Sequence, residues 1–125
     1  MSKRLLVTDD ALIIREIIKD AAQSAGWEIA GEASNGQMAV EMYQELRPDV
    51  CTLDLVMPEY DGMHGLRGIK ALNPEAKVVI VSALDQKNVL KETFSLGVSD
   101  FIVKPFDKAS LINTLEQLVA DANED

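Results

Sequence analysis

A single cysteine in 125 residues excludes any internal disulfide framework. Cys51 lies in an apolar run, where a small buried residue is the ordinary reading. Basic residues are also scarce, 12 against 21 acidic ones, for a net charge of −9. That excess repels nucleic acid and anionic lipid, so neither is expected as a direct partner. No apolar stretch approaches the ~20 residues of a membrane span. The opening Met1-Ser2-Lys3-Arg4-Leu5-Leu6-Val7 meets acidic residues too early for a signal peptide. A soluble cytoplasmic protein is the expectation. Linkers, repeats and low-complexity tracts are missing, and only Asn123-Glu124-Asp125 reads as frayed. What is present is an apolar content of 47%, ample for one core, and a length that suits one domain over residues 1–125.

Five short apolar runs alternate with five amphipathic stretches. The runs predict strands over residues 5–8, 27–33, 50–53, 77–81 and 100–103. Between the first two, Ile14, Ile17, Ile18, Ala21, Ala22 and Ala25 share one helical face, closed by Gly26. The second helix follows Asn35-Gly36, turns Ala39, Met42, Tyr43 and Leu46 inward, and stops at Pro48. A third contains Leu66, Ile69 and Leu72, and a fourth spans residues 85–96 with Gly97 as its cap. The last repeats apolar residues at Leu111, Ile112, Leu115, Leu118, Val119 and Ala122. Strands apolar on both faces, alternating with helices, predict an α/β fold: a doubly wound (βα)5 parallel five-stranded sheet covered on both sides.

In such a sheet, ligands sit beyond the carboxyl ends of the strands. Those ends read Asp9-Asp10, Asp54, Ser82 and Lys104; only the second strand's Ala33-Ser34-Asn35 is less distinctive. One polar residue at a strand end is usually a solvated terminus or a helix cap. Four sets with complementary chemistry on one rim are harder to explain that way. Three carboxylates brought together repel by ~4 kcal/mol per pair at 4 Å and an effective dielectric near 20. A hard divalent cation resolves that conflict, and oxygen-only ligands favour Mg²⁺. Lys104 adds a fixed cation and Ser82 a hydroxyl donor. With these neighbours, Asp54 can act as a carboxylate nucleophile in phosphoryl transfer.

Thr8-Asp9-Asp10, the run Asp54-Leu55-Val56-Met57-Pro58 with Asp61-Gly62, Val81-Ser82-Ala83, and Phe101-Ile102-Val103-Lys104-Pro105-Phe106 together resemble the motifs of two-component receiver domains. The resemblance covers essentially the whole chain and is strongest to stand-alone chemotaxis regulators of the CheY type. It implies that Asp54 is the phosphoacceptor and that Asp10, with Asp9 beside it, binds Mg²⁺ together with Asp54 and the backbone carbonyl of Val56. It also implies that Ser82 is the switch hydroxyl, Lys104 the phosphate-binding cation and Phe101 the aromatic that swings inward. The Lys104-Pro105 bond is expected to be cis. The implied partners are a sensor histidine kinase and a downstream protein, with a flagellar switch as the leading target. That target would be reached through the fourth helix, fifth strand and fifth helix. A monomer is expected, with a phosphorylation-linked dimer as an alternative. A receiver cut from a longer regulator, another phosphorelay and an unphosphorylated scaffold are the other readings.

Phe101 stands where tyrosine is frequent in that family, and Ser82 where threonine is also common. Haloacid-dehalogenase-type phosphatases need a second aspartate two positions after the nucleophile, where this chain has Val56. A flavodoxin-like carrier needs a hydroxyl- and glycine-rich loop after the first strand, where Asp9-Asp10 would repel a flavin phosphate. His64, Phe94 and Trp27 need no role beyond exposure or packing.

Overall fold

The computed structural model describes residues 3–122. The ends, including residues 123–125 that the sequence reads as frayed, lie outside the described residues. Strands β1 (Arg4–Thr8), β2 (Glu28–Ala33), β3 (Val50–Leu53), β4 (Val78–Ser82) and β5 (Asp100–Val103) alternate with five helices. These are α1 (Leu12–Ser24), α2 (Gly36–Leu46), α3 (Gly62–Leu72), α4 (Lys87–Ser95) and α5 (Lys108–Ala122). All strand pairs are parallel, in the order β2-β1-β3-β4-β5. The chain steps from β1 to one side for β2 and to the other for β3. A crevice therefore opens between the carboxyl ends of β1 and β3, where a doubly wound sheet places its ligands.

Side-chain alternation along each strand divides the interior into two cores. Leu5, Val7, Val50, Val79 and Val81 point to one face, where they meet Ile18, Ala21 and Ala22 of α1 and Leu111, Leu115, Leu118 and Val119 of α5. Leu6, Cys51, Leu53, Val78 and Ile80 point to the other face, against Ala39 and Tyr43 of α2 and Leu66 and Ile69 of α3. Each fully buried aliphatic side chain contributes roughly 1.5–3 kcal/mol. Burial pushes the Cys51 thiol up to about 12, so it is inert packing.

Caps fix the helix positions. The Asn35 carboxamide accepts the Met38 N–H at 2.9 Å at the start of α2, and the Asp61 carboxylate accepts the His64 N–H at 3.0 Å at the start of α3. Gly26 and Gly97 terminate α1 and α4 with φ of 88° and 92°. Several details differ from the sequence reading, among them the start of β1 at Arg4 and the one-residue shift of β4 to Val78–Ser82. Trp27 precedes β2 instead of opening it, and is buried with its indole N–H donating to Glu116 at 3.1 Å. The fourth helix starts at Lys87 instead of residue 85. Ile17, expected on the inner face of α1, is 46% exposed. The apolar stripe of α1 is wider than the sheet and α5 cover, so Ile17 is left beside Pro105 and Phe106.

One buried group is at odds with its surroundings. Thr52 is fully buried in β3, in register with Val7 and Val79, and its hydroxyl has no hydrogen-bond partner among the described residues. Leaving a hydroxyl unpaired costs about 1–3 kcal/mol, and valine has nearly the same shape. Thr52→Val is expected to raise unfolding free energy by about 1 kcal/mol in urea titrations. A loss of that size would show instead that the hydroxyl is satisfied.

Candidate functional site

Asp9, Asp54 and Lys104 are each the first residue after a strand, and strand register brings them to one rim. Thr8 pairs with Leu53, so Asp9 and Asp54 stand level across the β1–β3 crevice. Ser82 pairs with Val103, so Lys104 sits one step beyond Ser82. The backbone is tied at each point. The Asp9 N–H donates to the Ala33 carbonyl at 3.1 Å, the Asp54 N–H to Thr8 at 3.1 Å, and the Lys104 N–H to Ser82 at 2.9 Å.

The side chains then converge. Carboxylate oxygens of Asp9, Asp10 and Asp54 lie within 4.8 Å of one another. Asp9 and Asp54 are buried, whereas Asp10 faces solvent. The Lys104 ammonium bridges the buried pair, 2.7 Å from Asp9 Oδ2 and 3.0 Å from Asp54 Oδ2. Three carboxylates against one ammonium leave a formal charge of −2 at the rim, with Asp9, Asp54 and Lys104 shielded from water and Asp10 open to it. Burial raises the Asp9 pKa; hydrogen bonds from Lys104 and the Ala11 N–H and the charge of Lys104 only partly oppose this, and the charge of Asp54 adds to it. For Lys104, burial pulls the pKa down, but the bonds to Asp9 and Asp54 and their charges outweigh it, and the net shift is upward.

Ser82 is fully buried at the end of β4, and its hydroxyl oxygen accepts the Leu84 N–H at 3.2 Å. Val56 is 58% exposed, and its backbone N–H donates to Asp54 Oδ1 at 3.3 Å. Phe101 is half-buried against the core on the α2–α3 face. The Lys104-Pro105 bond is cis.

Two features of the site are absent from the sequence reading. Gly62, quoted there only as part of a motif, packs so closely that a β-carbon would collide with the Asp54 carbonyl and Leu55. The Gly62 N–H also donates to the Leu55 carbonyl at 3.1 Å, so the β3–α3 loop folds back beneath Asp54. The Arg15 guanidinium donates to the Asp9 carbonyl at 2.6 Å, a contact between positions six apart that apolar periodicity does not reveal.

The response regulator receiver domain model matches residues 5–116. The chain belongs to the response regulator receiver domain family. It is 42% identical over 118 residues to the chemotaxis protein CheY of Thermotoga maritima, covering 94% of this chain and 98% of that one. It is 41% identical over 114 residues to CheY of Listeria monocytogenes, covering 91% and 96%. Among solved structures, the CheX–CheY–BeF3–Mg complex from Borrelia burgdorferi superposes with a TM-score of 0.90 at 30% identity, covering 93% of this chain and 88% of that one. The receiver domain's carboxylate cluster offers only oxygen donors at mutual distances that suit a hard divalent cation.

The charge imbalance has a measurable consequence. In Asp9→Asn the cost of burying the charge is removed together with its repulsion from Asp54, the charged hydrogen bond and attraction of Lys104 are lost, and Lys104 keeps Asp54. In a chelator, this variant is expected to exceed the wild type in stability at neutral pH, because the ionised Asp9 carboxylate is disfavoured in the folded state. Because the folded pKa of Asp9 lies above its unfolded value, the folded state takes up this proton first. The variant's advantage therefore shrinks as pH falls through that raised value and stops changing below the ordinary value of 3.8. A pH-independent difference, or a wild type more stable at neutral pH, would contradict this.

Proposed function

We propose that this receiver domain, residues 1–125, is a phosphorylation-controlled switch in which Asp54 accepts a phosphoryl group from the phosphohistidine of a sensor kinase. The observation that carries the reading is the Lys104 ammonium bridging Asp9 and Asp54 at the rim of the sheet. A carboxylate oxygen of Asp54 forms the new P–O bond while the P–N bond to the histidine breaks, and the imidazole leaves with that electron pair. Lys104 is already in contact with the attacking carboxylate, where it can follow the incoming phosphoryl oxygens. Ser82, on the adjoining strand, supplies a hydroxyl to the same group.

Asp9, Asp10, Asp54 and the Val56 carbonyl would hold Mg²⁺, which supplies neutralisation of charge on the transferring phosphoryl group. The Borrelia CheY in complex with BeF3 and Mg supports that assignment. The receiver is a phosphoacceptor that assists its own phosphorylation and dephosphorylation, not an enzyme with an external substrate. Drawing Ser82 and Lys104 toward the phosphoryl group shifts the loop after β4 and opens space for Phe101. Populations of two packings change, and the face of α4, β5 and α5, where Phe94 and Val103 are 50% and 41% exposed, reports it to a partner.

A role in chemotaxis is favoured by the names of the relatives above; on this reading the protein acts in the cytoplasm as a monomer on a flagellar switch or similar protein. The CheX–CheY complex from Borrelia supports a protein partner for this chain. Incubation with Mg²⁺ and a small phosphodonor, followed by intact mass, should show a gain of one phosphoryl group. Asp54→Asn should show none. An adduct that persists in Asp54→Asn, or no wild-type adduct with donor and metal present, overturns the assignment.

A further inference from the structure

Asp10 is the one carboxylate of the cluster that faces solvent, yet a cation site needs its direction fixed. The fixing comes from the peptide that joins it to Asp9. On one side, the Asp9 N–H donates to the Ala33 carbonyl at the end of β2. On the other, the Asp9 carbonyl, part of the Asp9–Asp10 peptide plane, accepts from Arg15 Nη1 at 2.6 Å. The same guanidinium uses Nε to reach Glu32 Oε1 at 3.0 Å, and Glu32 is the residue before Ala33. Glu32 Oε2 takes Lys19 Nζ at 2.7 Å, and Lys19 also meets Glu16 at 2.8 Å. The Arg15 side chain is only 16% exposed.

Among the described residues, no other side chain from outside the turn bonds its backbone. Ala11, at the cap of α1, provides no side-chain cap; Asp9 Oδ1 accepts the Ala11 N–H at 2.9 Å instead. The Arg15 backbone N–H donates to the Ala11 carbonyl at 3.1 Å, so Arg15 grips the turn with both its backbone and its side chain. The planar fork of arginine suits this double duty, which lysine's single ammonium cannot reproduce.

We propose that Arg15, held by Glu32, is a positioning residue that sets the Asp9–Asp10 turn for divalent-cation binding. The proposal rests on the reading of the carboxylate cluster as a Mg²⁺ site. Its sign separates it from simple electrostatics. Arg15 is a positive charge near a cation site, so charge alone makes its removal strengthen Mg²⁺ binding. Positioning makes its removal weaken binding, as for partners that orient metal ligands elsewhere.

The test is Mg²⁺ titration of the full chain by calorimetry, with urea unfolding of each variant in chelator as the fold control. Arg15→Met, which keeps the apolar stem, is expected to bind Mg²⁺ about tenfold more weakly. Arg15→Lys, with one bond to the carbonyl but no fork, should fall between it and the wild type. Lys19→Gln, which removes an outer ion pair without touching the Asp9 carbonyl, should bind like the wild type. Unchanged or tighter binding by folded Arg15→Met overturns the proposal, as does equal weakening by Lys19→Gln. Should Arg15→Met fail to fold, wild-type affinity in Arg15→Lys overturns it equally. A wild type that binds no Mg²⁺ overturns the functional reading itself, and this inference with it.

Discussion

The Lys104 ammonium, 2.7 Å from one buried carboxylate and 3.0 Å from another, holds the carboxyl ends of three strands together. It comes from β5, while Asp9 and Asp54 come from β1 and β3, and β4 lies between. The bridge is incomplete as charge balance, because Asp10 adds a third negative group and burial makes the Asp9 charge harder to tolerate. Tension of this sort is what a switch needs. A site already neutral and fully hydrogen-bonded would gain little from a metal ion or a phosphoryl group, and its occupancy would move nothing.

The rest of the architecture holds that imbalance in place. Two cores, one on each face of the sheet, fix the strands through residues such as Leu5, Val50, Leu53 and Ile80. Tight contacts at the rim do the finer work. Gly62 lets the β3–α3 loop close against the Asp54 backbone, and Arg15 links the Asp9 carbonyl to β2 through Glu32. Asp54 is therefore bounded by rigid strands on two sides and by its own loop beneath. Ser82 and Phe101, by contrast, sit toward the edge formed by β4 and β5, where the covering helix α4 buries only Thr93 fully. On the proposed reading, the rigid half of the rim would hold the chemistry, and the half beside α4 is where a conformational response would develop.

Most of this was legible in the sequence, because strand ends in a parallel sheet share one edge regardless of side-chain detail. Asp9, Asp54, Ser82 and Lys104 could be gathered from strand order alone, and β3 and β5 have the predicted bounds. Ile17 shows the limit of periodicity. A helical stripe says which residues can face inward but not how much of the stripe the neighbours cover. Thr52 shows another limit: a threonine in a strand reads the same whether its hydroxyl has a partner or not. Arg15 was missed because its carbonyl contact depends on how the turn after β1 bends, and nothing in residue type or spacing encodes that.

An unbalanced carboxylate cluster should give this fold a cation-dependent stability. Urea unfolding of the wild type across a Mg²⁺ series, at ionic strength matched with a monovalent salt, measures it directly. Stability should be flat at low Mg²⁺ and then climb by about 1.4 kcal/mol for each tenfold rise above the dissociation constant. A midpoint that does not move with Mg²⁺, or moves equally with the monovalent salt, would contradict it.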